Sequence, residues 1–78
     1  MRIYDDQSKR VRTSVTLFLS PDEASELADR ARALAGDPRQ HHSHLNDATY
    51  EREITVAVYT RDNFAQFDAE SRAVIGDP

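Results

Sequence analysis

The sequence predicts an α+β fold in which a mostly antiparallel sheet of three or four strands carries two helices on one face. Three observations lead to this prediction. Apolar and polar residues alternate along two segments, a helix-capping signature directly follows the first segment, and Gly-Asp-Pro stands after each of two helical stretches. The chain has 78 residues, which suits one domain better than two, so residues 1–78 are treated as a single small domain.

The first strand is predicted over residues 11–19. Its odd positions are mostly apolar and its even positions mostly polar, which is the two-residue period of a strand with one buried face. The core face of the sheet is expected to combine this strand with the β-prone segment 54–59. The predicted core residues are Val15, Leu17, Leu19, Ile54, Val56 and Val58.

The first helix is predicted to begin directly after this strand. Ser20 is a favourable N-cap, Pro21 suits the first helical position, and Glu23 completes a capping box with Ser20. Apolar residues then recur at spacings of three and four as far as Ala35. Gly36 is predicted to end the helix in a left-handed conformation.

The second half of the chain is predicted to form a hairpin and a second helix. A short strand over residues 41–46 and the strand over residues 54–59 flank a turn at Asp47-Ala48. The second helix has two candidate starts. One is at Thr60, and the other is at Asp68, which would act as an N-cap.

The two halves of the chain resemble each other at an offset of 40 residues. In that alignment Arg12 matches Arg52, and Gly36-Asp37-Pro38 matches Gly76-Asp77-Pro78. With a short leading strand over residues 2–4, the chain is interpreted as a duplicated strand–strand–helix unit. The alternative is that shared helix-stop chemistry accounts for the matches without any duplication.

Composition favours a cytoplasmic protein and argues against several classes of partner. The chain has no cysteine, which removes disulfides and thiolate metal ligands, and no apolar run approaches the roughly 20 residues of a membrane span. The net charge of −4 disfavours nucleic acid as a partner. The basic cluster of Lys9, Arg10 and Arg12 is interpreted as the charged edge of a strand, with a polyanion contact as the alternative.

The histidine-rich stretch over residues 41–44 is the most unusual local feature. The predicted turn would place His44 opposite Glu51, and the same register would place His42 opposite Glu53. The ordinary interpretation is an exposed hairpin face with no bound cofactor. The first alternative is a divalent metal site, because imidazole and carboxylate are suitable ligands. The second is a pH-responsive contact in which the glutamates raise the pKa of both histidines.

The sequence favours a binding role over an enzymatic one. It contains none of the phosphate-binding, nucleophile-elbow or metalloprotease motifs, and its two glycines both stand at predicted helix ends. A domain this small also has little room for the concave pocket that most small-molecule sites need.

An interaction surface is predicted on the face of the sheet opposite the helices. Phe18, Ala57 and Tyr59 are expected to lie there, and an apolar sheet face without cover favours a second protein chain. A second candidate surface is the acidic face of the first helix, formed by Asp22, Glu23, Glu26 and Asp29. The expected function is that of a small protein-binding or regulatory module, of a kind common in bacteria, that acts as a homodimer. The alternative is a metal-binding protein built on the histidine–glutamate patch.

Overall fold

The computed structural model describes residues 1–78 and confirms a mixed α+β fold, but its strands form two separate sheets. One hairpin pairs β1 with β2 and the other pairs β3 with β4, both antiparallel. The prediction of one sheet with three or four strands is therefore wrong. The elements are β1 (Ile3–Asp5), β2 (Arg10–Arg12), α1 (Pro21–Gly36), β3 (His42–Asn46), β4 (Glu53–Ala57) and α2 (Ala69–Ile75).

The predicted strand over residues 11–19 is correct only at its beginning. β2 ends at Arg12, which pairs with Ile3, and no other strand continues the ladder. Val15 and Leu17, expected in the core, are 59% and 46% exposed. The alternation correctly marks residues suited to a strand, but periodicity does not identify the partner that a strand needs in order to be paired and covered.

Helix α1 begins as predicted. The Ser20 hydroxyl accepts a hydrogen bond from the Glu23 amide (3.2 Å), and the Glu23 carboxylate accepts one from the Ser20 amide (2.8 Å). The helix ends at Gly36, where the Asp37 amide donates to the carbonyls of Ala33 and Leu34. The prediction that Gly36 adopts a left-handed conformation is wrong, because the only glycine with positive φ is Gly76, at +74°.

The capping box gives a direct stability prediction. Changing Ser20 to Ala leaves the Glu23 amide without its acceptor, and the free energy of unfolding should fall by about 0.5–2 kcal/mol. Chemical denaturation measures the change. Ser20→Asp is the control, because aspartate is also a good N-cap and should retain most of the stability. Equal stability of Ser20→Ala and the parent would contradict the cap's contribution.

The β3–β4 hairpin has a longer loop than predicted. His44 lies opposite Thr55, not Glu51, and His42 lies opposite Ala57, not Glu53. The cause is Asp47, whose carboxylate accepts hydrogen bonds from the amides of residues 51 and 52 at 3.0 and 3.3 Å. These bonds hold the loop closed as far as residue 52, so the partner strand begins later and the register shifts by four residues.

The two helices lie on opposite sides of the β3–β4 hairpin, which corrects the prediction that they share a face. α1 contacts the side that carries Ser43 and Leu45, where the Arg30 guanidinium donates to the Ser43 hydroxyl at 2.7 Å. α2 borders the other side, which carries Thr55 and Ala57. Strand alternation puts these two sets of residues on opposite faces. Sequence patterning suggested a single core face because it showed only one strongly apolar side.

Helix α2 begins at Asp68, the second of the two candidate starts. The Asp68 carboxylate accepts from the Ser71 amide at 2.7 Å. The N-terminal hairpin holds this helix in place: the Tyr4 hydroxyl donates to Glu70, and the Arg2 guanidinium donates to the carbonyl of Ile75. Neither α1 nor α2 combines the length and apolar character that a membrane-spanning helix needs.

The core is small. Only four apolar residues are buried, together with one polar residue, Asn63. The apolar four are Leu34, Leu45, Phe67 and Ile75. The order strand–strand–helix does occur twice along the chain, although α1 has 16 residues and α2 has seven.

Candidate functional site

Between β2 and α1 the chain runs for seven residues without a partner. We call Thr13–Leu19 the unpaired segment. None of its backbone or side-chain groups makes a hydrogen bond to another part of the protein. Three of its four large apolar side chains are exposed, most of all Phe18 at 93%, and the fourth, Leu19, is half-buried. A strand-prone stretch with free backbone donors and acceptors is a template for pairing with another strand.

The unpaired segment lies alongside the β3–β4 hairpin but is separated from it by two depressions. One, of about 470 Å³, has an apolar wall formed by Leu17 and Leu19 of the segment and by Leu45 and Ile54 of the hairpin. The other, of about 720 Å³, lies on the side of Val15. Apolar surface of this kind, next to unpaired backbone, suits protein contact better than a small polar ligand.

The two ends of the unpaired segment carry opposite charges. Lys9, Arg10 and Arg12 precede it, whereas Asp22 and Glu23 follow it in the first turn of α1. Of these, Arg10 and Asp22 form no ion pair within the chain. The segment therefore has an unpaired positive charge near its N-terminal end and an unpaired negative charge near its C-terminal end.

The predicted interface residues do not lie on one surface. Phe18 lines the depression beside the unpaired segment, whereas Ala57 and Tyr59 line a separate one that α2 borders. The Arg2 guanidinium carbon lies 6.0 Å from the centre of the Tyr59 ring. This chain therefore covers Tyr59 in part, whereas Ala57 and Phe18 both remain exposed, on different parts of the surface.

The four predicted metal ligands do not form one cluster. His44 Nδ1 lies 2.9 Å from a carboxylate oxygen of Glu53 and equally close to the Thr55 hydroxyl. Glu51 sits in the loop, where Arg52 is its only ionic contact. No group of three or more histidine, aspartate and glutamate side chains is arranged to hold a metal ion. The register shift is the reason, because it moves Glu51 out of the strand that faces the histidines.

The histidines instead contact one another. The Nδ1 atoms of His41 and His42 are 2.7 Å apart, and the rings of His42 and His44 meet edge to face with centres 5.1 Å apart. Loss of water around the His42 ring lowers its pKa, and the positive charges of His41 and then His44 lower it further, while Asp68 opposes them. The prediction that glutamates raise the pKa of His42 is wrong, since no glutamate lies opposite it.

The lowered pKa of His42 determines how the stability of the protein should change with pH. A group whose pKa is depressed in the folded state contributes stability that is fully present above its unfolded pKa, about 6.5, and is lost as the pH falls through the folded pKa. The free energy of unfolding should therefore fall modestly between about pH 7.5 and 5.5. His42→Gln should flatten this dependence relative to the parent. Denaturation at each pH measures both, and a parent that gains stability on acidification would contradict it.

The unpaired segment thus stands apart from the other candidate sites, because it combines free backbone groups, exposed apolar side chains and charge at both ends. The sequence marked it as a strand and marked Phe18 as exposed; no signal in the sequence showed that it would lack a partner. No protein-family model, curated protein or solved structure matches this chain.

Proposed function

We propose that this protein is a non-enzymatic protein-binding module that acts as a homodimer, with the unpaired segment as its interface. The observation that carries the proposal is the run of seven strand-prone residues whose backbone has no hydrogen-bond partner. Sheet edges left open in this way are usually blocked by charges, proline or a covering element, and Thr13–Leu19 contains neither charge nor proline. Addition of a strand from another chain satisfies the free backbone groups.

The size of the core supports a partner as well. Four buried apolar residues are few for a folded domain, and a chain of this length buries only about 60% of the surface its unfolded state exposes. Burying Phe18 or Leu17 against a second chain would contribute roughly 1.5–3 kcal/mol for each side chain that becomes fully covered. Association therefore adds apolar burial that the single chain lacks, and it stabilises the folded state by mass action.

A metal-binding function has less support. The predicted ligands were His42, His44, Glu51 and Glu53. His44 contacts both Glu53 and the His42 ring, but Glu51 lies in the loop. No three of these side chains are arranged to hold a metal ion, and zinc and similar ions require three or four ligands.

Removing the most exposed aromatic side chain of the segment tests the proposal. The parent should have twice the mass of the 8.9 kDa chain in light scattering at about 100 μM and neutral pH. Phe18→Asn should shift the mass to that of the single chain, because it removes the largest apolar group of the proposed interface.

The matched control is Tyr50→Asn, which removes a second exposed aromatic residue that lies outside the segment and lines neither depression. Tyr50 lies in the β3–β4 loop with φ of +59°, a conformation that asparagine tolerates well. This variant should keep the parent mass. A single-chain mass for the parent, or equal behaviour of the two variants, would overturn the proposal.

A further inference from the structure

We infer that two copies of this chain pair antiparallel through the unpaired segment, with the two-fold axis at Thr16, so that each copy completes the other's strand. The inference rests on the proposed homodimer and adds its geometry. In an isologous dimer the two copies are related by a two-fold axis, so if residue i of the first copy contacts residue j of the second, residue j of the first contacts residue i of the second. An antiparallel strand pair has this symmetry.

The free backbone determines the centre. The segment runs from Thr13 to Leu19, so its midpoint is Thr16. Pairing about Thr16 places Thr13 opposite Leu19 and uses all seven unpaired residues at once. Moving the centre to Val15 would leave Leu19 opposite Val11, which already belongs to β2, and Thr13 opposite Leu17. The register centred on Thr16 therefore satisfies the unpaired groups without drawing on residues of β2.

The side chains in this register are compatible on both faces. Val15 lies opposite Leu17 twice, once on each side of the axis, and these apolar pairs share one face with Thr13 and Leu19. On the other face Thr16 meets its own copy, a cross-strand pair that forms favourable hydroxyl contacts. No like charges face one another within the seven residues, because the segment is uncharged.

Charge at the ends of the segment selects the antiparallel direction and a second copy as the occupant. An antiparallel pair brings Arg10 and Arg12 of one chain towards Asp22 and Glu23 at the start of α1 in the other. A parallel pair would bring the basic ends together and the acidic ends together. Since Arg10 and Asp22 have no ionic partner in the single chain, the second copy supplies the opposite charge that each lacks.

The absence of cysteine makes the register measurable by disulfide trapping. Residues directly opposite in an antiparallel pair have Cα atoms about 4.5–5.5 Å apart, within the range that a disulfide bridges. Thr16→Cys should therefore form a disulfide-linked dimer on mild oxidation. Val15→Cys should cross-link far more slowly, because in this register it lies two positions from its own copy, roughly 8 Å away or more.

Tyr50→Cys reports cross-linking by random collision from an exposed loop. Thr16→Cys should exceed that rate by about tenfold or more, because pairing holds the two thiols at a high effective concentration. If Val15→Cys is fastest while light scattering shows a dimer, the register is wrong but the homodimer stands. If all three variants react equally, the inferred pairing is overturned. A single-chain mass for the parent overturns the homodimer itself.

Discussion

Replacing Leu34 by alanine should lower the free energy of unfolding by about 2–5 kcal/mol. Leu34 is 2% exposed and is the most deeply buried side chain, on the face of α1 that packs on the β3–β4 hairpin. A chain of 78 residues has a total stability of roughly 4–12 kcal/mol, so this one change removes a large part of it. Urea denaturation at neutral pH, followed by circular dichroism, measures the loss.

Leu17→Ala is the matched control for Leu34→Ala. It removes the same atoms from a residue that is 46% exposed in the single chain. At low micromolar protein concentration, where a weak dimer dissociates, its cost should stay below about 1 kcal/mol. Equal losses for the two leucines at that concentration would mean that the segment is buried within the single chain, contrary to the structure.

Replacing Asn63 by alanine should cost about 3 kcal/mol. The Asn63 side chain is 3% exposed and satisfies three backbone groups: it donates to the carbonyls of Pro38 and Val58, both at 2.8 Å, and accepts from the Thr60 amide at 2.7 Å. Removing it leaves these groups buried without partners, at about 1–3 kcal/mol for each one that water does not reach. The substitution also removes the hydrogen bonds by which Asn63 connects the residue after β4, Val58, to the turn after α1 at Pro38.

Two variants make the Asn63 prediction specific. Asn63→Asp keeps the acceptor for Thr60 but loses both donated hydrogen bonds, so it should be destabilised nearly as much as Asn63→Ala. Asn46→Ala changes an asparagine at the end of β3 whose side chain makes no hydrogen bond, and it should change stability by less than about 1 kcal/mol. A loss below that value for Asn63→Ala would contradict the importance of these contacts.

Local chemistry explains which parts of the fold could be predicted from the sequence. The capping box of Ser20 and Glu23 and the N-cap at Asp68 each depend on residues within three positions of one another. The residue types at these positions are therefore enough to predict where each helix begins. The mixed α+β class follows from these helix starts and from the β-prone segments between them.

Longer-range arrangements could not be predicted in the same way. The hairpin register depends on how far the Asp47 carboxylate reaches across its loop, and a difference of four residues moved Glu51 away from the histidines. The Thr60–Asn63 pair is visible as a local turn, but the contact from Asn63 to Pro38 spans 25 residues and leaves no sequence pattern. The pairing of the segment Thr13–Leu19 could not be predicted at all. Alternation of apolar and polar residues indicates a strand but does not show which strand pairs with it.

Amide hydrogen exchange along Thr13–Leu19, followed as a function of protein concentration, tests the homodimer interface most directly. In an antiparallel pair, alternate amides point to the partner strand. At about 100 μM these alternate amides should therefore be protected, and the protection should disappear on dilution and in Phe18→Asn. Uniformly fast exchange at high concentration would contradict the proposed interface. Protection that does not change with concentration would also contradict it, because the segment would then be paired within its own chain.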